Sequence, residues 1–320
     1  MSLFTKPITS RPLGNTGIEV SSVALGTVEL GMDYGIQAPG EYGRPTEEEA
    51  IRLLHEAADC GINVFDTAPA YGTSEELLGR ALSKRSECLI ATKVNIPLDD
   101  DRRSLVGKGL QNSIYASLTN SLRALRRDRL DIVQIHNATV ALFVSDEWRA
   151  VMENSRQQGL VRLWGASVYT EEEALAAIQS GLCHILQVPY NLLDQKMAER
   201  VIPCAEEAAV AIMVRSAYLK GVLTEKAEWL PDALKPLESV VSDIRCQLGV
   251  SWKELSQMAL RFCLSTLGVS TVLVGLRTHE ELHATLESVE LGALSPGEFR
   301  LAQTWALHDE PLLNPSYWPV

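Results

Sequence analysis

A single (β/α)8 barrel of the TIM type is the fold that three features of this 320-residue sequence predict. Eight short runs rich in Val, Ile or Leu recur along the chain, most of them leading into an amphipathic stretch. Such continuous apolar runs suit strands covered on both faces, and strands alternating with helices make a parallel sheet. Four helix starts carry a T-x-x-E capping box: Thr46/Glu49, Thr73/Glu76, Thr170/Glu173 and Thr278/Glu281. The main alternative, a doubly wound sheet, would usually carry a G-x-G-x-x-G after its first strand, and the sequence has none. Eight units at this length therefore favour one closed barrel spanning residues 1–320.

The elements follow in order. Arg11–Leu13 turns at Asn15-Thr16-Gly17 into Ile18–Val20, a short N-terminal β-hairpin suited to closing the barrel floor. The strand candidates are Val20–Leu25, Asn63–Phe65, Cys88–Thr92, Leu130–Ile135, Val161–Ala166, His184–Val188, Val210–Val214 and Thr271–Val274. Ala50–Asp59 is representative of the helices, with Ile51, Leu54 and Ala58 on one face. Three connections are long, Gly26 to Pro45, Asn95 to Lys108 and Gly221 to Pro236, and long loops above strand ends are where binding sites collect.

Composition narrows the function. Hydrophobic residues at 46% and charged residues at 22% allow a large core. A net charge of −12 argues against nonspecific nucleic-acid binding, which needs clustered Lys and Arg. The apolar stretches, such as Ala208 to Val214, are too short to span a bilayer, so no membrane partner is expected. The start MSLFTKPITSRPLG has no apolar core or cleavage site of a leader. The six cysteines, at 60, 88, 183, 204, 246 and 263, form no CxxC pair and read as reduced thiols of a cytoplasmic protein. Asn137-Ala138-Thr139 matches a glycosylation sequon, a pattern short enough to arise by chance.

In a parallel barrel the residues ending each strand face the active site. Those residues are Asp66, Lys93, His136, Ser167, Gln187, Arg215 with Ser216, and Gly275, and Tyr71 follows Asp66 in the next loop. Each alone has a plain structural use: Asp66-Thr67 as a cap and turn, Lys93 as a solvated strand end, His136 as a hydrogen-bonded core histidine. Polar groups capping one apolar strand after another would cost desolvation without serving stability, so together they read as a catalytic set.

These residues carry a family resemblance. The segment Gly61-Ile62-Asn63-Val64-Phe65-Asp66-Thr67-Ala68-Pro69-Ala70-Tyr71-Gly72 resembles the G-x-x-x-F-D-T-A-x-x-Y-G signature of the aldo-keto reductases. Ile90-Ala91-Thr92-Lys93 is similar to the family's catalytic-lysine strand, and Leu130-Asp131-Ile132-Val133-Gln134-Ile135-His136 to its catalytic-histidine strand. Gly159 through Ser167, Gln187-Val188-Pro189-Tyr190-Asn191-Leu192-Leu193 and Val274-Gly275 resemble later strands in the family's order. The resemblance implies hydride transfer between a nicotinamide cofactor, NADP(H) in most members, and a carbonyl or alcohol. Tyr71 would be the proton donor or acceptor, Lys93 would tune it, Asp66 would hold Lys93, and His136 would orient the substrate oxygen. The residue types suit those roles: a free phenol has a pKa of about 10, and an adjacent ammonium favours the phenolate.

The resemblance also implies cofactor contacts. Gly26 and Thr27 would lie beside the nicotinamide, and Ser167 and Gln187 would bond its carboxamide. Ser216, Tyr218, Lys220 and Gly221 would form the pyrophosphate loop. Arg277, just past Gly275 at a helix start, could hold a 2′-phosphate or equally be an exposed first-turn arginine. Three departures bear on the cofactor. Val168 stands where many members have Asn. Arg215 stands where many have an aromatic ring against the nicotinamide, and a guanidinium can stack there instead. Ala284 and Thr285 replace a frequent Glu and Asn, with Glu281 placed to compensate. NAD(H) therefore stays open beside NADP(H).

Substrate contacts are expected from the long loops and the tail: Met32 and Tyr34, Phe143, and Tyr317 with Trp318, each of which could equally be ordinary packing. The spacing around the first loop is similar to that of sugar- and pyridoxal-oxidising relatives, so the partner is read as a small carbonyl, alcohol or sugar-like molecule. Two other readings compete. His279-Glu280-Glu281-Leu282-His283 is a formal H-E-x-x-H zinc pattern, but it opens a helix, where acids serve the dipole, and no third ligand pattern follows. A nucleotide-binding regulatory barrel is the other, and the filled set of four catalytic positions speaks for an enzyme.

Overall fold

The computed structural model describes residues 8–40, 42–97 and 104–318. Its strands are β1 (Ser10–Pro12), β2 (Glu19–Ser21), β3 (Val23–Gly26), β4 (Val64–Asp66), β5 (Leu89–Asn95), β6 (Leu130–His136), β7 (Val161–Ser167), β8 (Ile185–Pro189), β9 (Ala211–Arg215) and β10 (Val269–Gly275). β3 to β10 form a closed parallel barrel in which β10 pairs with both β9 and β3, with helices between the strands. β1 and β2 pair antiparallel, Arg11 opposite Val20, as a separate hairpin. All eight expected barrel strands are present. The first is divided: the apolar run from Val20 to Leu25 breaks at Ser22, its early part pairing in the hairpin and its later part entering the barrel. Of the long connection from Asn95 to Lys108, residues 98–103 lie outside the described residues, as does residue 41 in the first long loop.

Side-chain alternation along each strand sorts the core into two layers. Ala24, Val64, Leu89, Ala91, Ile132, Leu163, Ile185, Ala211, Met213 and Leu273 form one apolar cluster. Leu13 and Val20 of the hairpin join it, so the hairpin seals that end. Phe65, Ile90, Val133, Trp164, Leu186, Ile212 and Val274, the alternate residues, belong to the larger cluster shared with the helices. Two residues beyond an inward apolar position, the same face of a strand carries Gly26, Asp66, Lys93, Gln134, Gln187, Arg215 or Gly275. The polar end of the barrel follows from the two-residue repeat.

Helix starts are set by their caps. Thr46/Glu49 and Thr170/Glu173 form full capping boxes, as do Ser251/Glu254 and Ser295/Glu298. Thr278 accepts from the Glu281 amide, but the Glu281 carboxylate turns to Arg277 instead of closing the box. Thr73 makes no cap bond, because its backbone already lies near the helical region and its neighbour Ser74 starts the helix Ser74–Leu82.

A close backbone contact places the Tyr71 loop. A Cβ on Gly31 would lie 1.9 Å from the Tyr71 carbonyl oxygen, and one on Gly72, at φ +57°, would lie 2.2 Å from the Gly31 carbonyl. Gly31→Ala should lower the unfolding free energy by about 1–3 kcal/mol, the usual cost of overpacking. Urea denaturation of the variant beside the wild type measures it.

Candidate active site

Lys93 is the most buried charge at the polar end of the barrel, with 1% of its surface exposed. Its Nζ donates to Asp66 Oδ1 at 2.6 Å and to the Thr67 carbonyl at 2.9 Å. The second Asp66 oxygen accepts from Gln187 Nε2 at 2.8 Å and Gln134 Nε2 at 3.1 Å. Burial works against the ammonium, but Asp66 and Tyr71 more than offset it, and the lysine pKa rises above its ordinary value. The ammonium lies 4.9 Å from the centre of the Tyr71 ring. The four expected catalytic side chains thus meet: Asp66 on Lys93, Lys93 on Tyr71, and His136 edge-on to Tyr71 with ring centres 6.1 Å apart.

Burial drives the His136 pKa down to about 4, helped by the charges of Lys93 and Arg215. The imidazole is neutral at neutral pH. Its Nδ1 lies 3.2 Å from Asn95 Oδ1, where either group can be the donor once tautomer and amide orientation are chosen. Behind Tyr71, Ser74 Oγ hydrogen-bonds both Thr27 and Thr67, and Thr27 also donates to the Asp66 carbonyl at 2.8 Å. Gln134, Asn95 and Ser74 were not singled out from the sequence. Gln134 and Asn95 share strand faces with His136 and Lys93 two residues away, so alternation could have found them.

The site opens into a cleft of about 840 Å³. Gly26, Thr27, Ser167, Gln187, Arg215, Ser216, Tyr218, Lys220, Gly221, Gly275, Arg277 and Glu281, the expected cofactor residues, all line it, with Asp66, Tyr71 and His136. Three contacts differ from expectation. Gln187 gives one N–H of its amide to Asp66, which leaves its other N–H and its carbonyl for a ligand. Arg215 stacks its guanidinium on Tyr169, 4.2 Å from the ring centre. Glu281 accepts from the Arg277 backbone N–H at 2.6 Å and its guanidinium at 2.9 Å, with Lys226 at 3.8 Å. Ser216, Leu219, Lys220 and Gly221 all have positive φ, the backbone curl that forms anion-binding concavities.

Of the expected substrate residues, Tyr34 lines the cleft. Phe143 does not: it is packed in the core. Trp318 is also buried, its indole donating to the Leu312 carbonyl at 3.2 Å, and Met32 lies outside the cleft lining beside Gly72. Apolar character alone could not separate packing from a pocket wall. The H-E-x-x-H histidines bond a single carboxylate of a neighbouring helix, His279 to one oxygen of Glu56 and His283 to the other at 2.7 Å. Among the described residues no cluster of three or more His, Cys, Asp or Glu side chains could hold a metal ion.

Residues 22–304 match the Aldo/keto reductase family. The chain belongs to that family. It is an oxidoreductase by membership, and the family works with nicotinamide cofactors. It is 27% identical over 327 aligned residues to L-galactose dehydrogenase of Arabidopsis thaliana, covering 97% of this chain and 96% of that one. It is 31% identical to the NADH-specific methylglyoxal reductase of Escherichia coli over 228 residues, 67% of this chain and 68% of that one. The fold is similar to that of the holo form of aldo-keto reductase AKR11C1 from Bacillus halodurans, with a TM-score of 0.76 at 24% identity over 95% of this chain and 99% of that one. Among the described residues no helix is long and apolar enough to cross a membrane.

The lowered His136 pKa has a measurable consequence. An exposed histidine titrates at about 6.5, so between that value and about 4 the unfolded chain binds the extra proton and the folded one does not. This contribution to stability is present above pH 6.5 and is lost as pH falls towards 4. Denaturant unfolding across that window should show stability declining with acidity, and His136→Asn should flatten the decline. An unchanged slope in the variant would contradict a buried neutral imidazole.

Proposed function

We propose that this enzyme transfers a hydride between NADP(H) and the carbonyl or alcohol carbon of a small aldehyde, ketone or sugar-like molecule, with Tyr71 moving the proton. The observation that carries this reading is the buried Lys93–Asp66 pair set against Tyr71 beside a neutral histidine. A cytoplasmic setting accords with six cysteines that form no disulfide.

The dinucleotide, when bound, supplies or accepts the hydride. In reduction the Tyr71 hydroxyl gives its proton to the carbonyl oxygen as negative charge develops there, and the Lys93 ammonium stabilises the phenolate left behind. Asp66 holds that ammonium, and the amides of Gln134 and Gln187 hold Asp66. His136 orients the same oxygen by donating from Nε2. A neutral imidazole can do so only with a bare Nδ1, which requires the Asn95 amide to present its N–H in place of the Oδ1 that lies 3.2 Å away. In oxidation the same groups run in reverse, Tyr71 accepting the alcohol proton.

The cleft residues fit such a cofactor. The curled segment from Ser216 to Gly221 suits a pyrophosphate, and Arg277 Nε, buried without a hydrogen-bond partner, suits a further anion such as a 2′-phosphate, with Lys226 close by. One observation favours NAD(H) as a second reading: Glu281 already occupies the Arg277 guanidinium, and a carboxylate there opposes a phosphate dianion while accepting ribose hydroxyls. The E. coli relative is NADH-specific by name.

Tyr71→Phe should cut turnover at least about 100-fold while leaving dinucleotide binding near the wild-type value, and Lys93→Met should do the same. Stopped-assay turnover over a panel of aldehydes, ketones and sugars, paired with fluorescence titration, measures both; retained turnover in Tyr71→Phe removes the proton-transfer role. A wild-type protein that binds dinucleotide but turns over nothing on the panel points to a regulatory barrel. Comparing NADP and NAD affinities in the wild type and Arg277→Leu decides the cofactor: a 2′-phosphate contact predicts a selective loss of NADP binding.

A further inference from the structure

Glu75 is a buried acid that the proton chemistry leaves unused. It stands in the first turn of the helix Ser74–Leu82 and is 7% exposed, whereas its neighbour Glu76 faces solvent. Either glutamate serves the helix dipole, so the helix does not require one of them to be buried at a desolvation cost. The Glu75 Oε1 accepts from Thr92 Oγ1 at 2.6 Å, and the Ser121 hydroxyl of the helix Gly107–Leu125 faces it. Lys93 is the charged group that bears on it. Burial raises the Glu75 pKa, while the hydroxyls and the Lys93 charge pull it back. In the alkaline range where phenols titrate, the group is a carboxylate.

Thr92 and Lys93 are adjacent in β5 and face opposite sides of the barrel wall. Thr92 alternates with Ile90 and Val94 of the outer cluster, and Lys93 with the inward Ala91. Glu75 therefore approaches Lys93 from behind the wall, while Asp66 meets it inside. Ser74, one residue earlier, hydrogen-bonds Thr67, whose carbonyl accepts the second Lys93 N–H. The segment from Tyr71 to Glu75 thus carries the phenol and two side chains that grip the neighbours of Asp66 and Lys93.

Resting on the proton-transfer reading above, we infer that Glu75 is a positioning residue that acts through Lys93, a second carboxylate behind the barrel wall that limits how far the ammonium stabilises the Tyr71 phenolate. Two carboxylates around one ammonium leave the set with a net negative charge, which opposes a phenolate forming beside it. With Asp66 alone the set would be neutral, and Tyr71 would hold its proton less firmly. Tyr71 has to give a proton in reduction and take one back in oxidation. A phenol made too acidic loses the second role, so an intermediate proton affinity serves both directions.

Ultraviolet difference titration of tyrosinate in the whole protein, without substrate, tests this. Subtracting the titration of Tyr71→Phe from that of the wild type isolates Tyr71 among the eight tyrosines. In Glu75→Gln, with Glu75→Gln/Tyr71→Phe as its reference, the Tyr71 midpoint should move towards acid by about half a pH unit or more. Glu75→Asp, which keeps the charge, should restore most of the wild-type midpoint. Thr92→Val removes the hydrogen bond but neither charge, so its midpoint should stay near the wild type. An unmoved midpoint in Glu75→Gln, or an equal shift in Thr92→Val, overturns the inference while leaving proton transfer intact. The wild type offers a second check that does not depend on Glu75→Gln folding. The side-chain carboxyl carbon resonance of Glu75, assigned through Glu75→Asp, should be that of a carboxylate above neutral pH, and a protonated carboxyl there also overturns the inference. Turnover retained in Tyr71→Phe overturns the proton-transfer reading itself, whatever the titration shows.

Discussion

A lysine ammonium with almost no exposed surface is tolerable only where every direction around it offers an acceptor or an opposite charge. Lys93 meets that condition through the Asp66 carboxylate and the Thr67 carbonyl, and Asp66 in turn through the amides of Gln134 and Gln187. β4, β5, β6 and β8 are thereby joined across the barrel interior by one polar network. Tyr71 and His136 stand at its open side, so the groups that would move a proton are positioned by a cluster that cannot shift without exposing a charge.

That network exists because the barrel separates apolar from polar along each strand. Below it, inward side chains such as Val64, Ala91, Ile132 and Ile185 fill the interior, and the hairpin closes the end with Leu13 and Val20. Two residues further along the same faces come Asp66, Lys93, Gln134 and Gln187. Glycines add a second layer of positioning, since Gly31 and Gly72 let the first loop and the Tyr71 loop meet backbone to backbone.

The cleft beyond carries finely balanced charge. Arg277 is opposed by Glu281, Lys226 lies near the same carboxylate, and burial raises the pKa of Glu29 nearby. On the proposed reading, such a balance would set the choice between NADP(H) and NAD(H) by differences of one charge. At the reaction end Arg215 is stacked on the Tyr169 ring.

Much of this was legible in the sequence, because some constraints are local. Strand periodicity placed Asp66, Lys93 and His136 on one end, and threonine caps with glutamates three residues on marked the helices at Thr46 and Thr170. The hairpin was legible from its turn. Tertiary structure alone decided what depends on neighbours distant in sequence. Gln187, 121 positions from Asp66, is committed to its carboxylate; Arg215 chose Tyr169 as its stacking partner; and Glu281 turned to Arg277 instead of closing a cap. Phe143 and Trp318 lie in the core, which the sequence left open because an apolar residue carries no mark distinguishing a packed wall from an open one. A residue's periodicity says which face it takes, but only the closed barrel determines which side chains share that face, and so which bonds remain for a ligand.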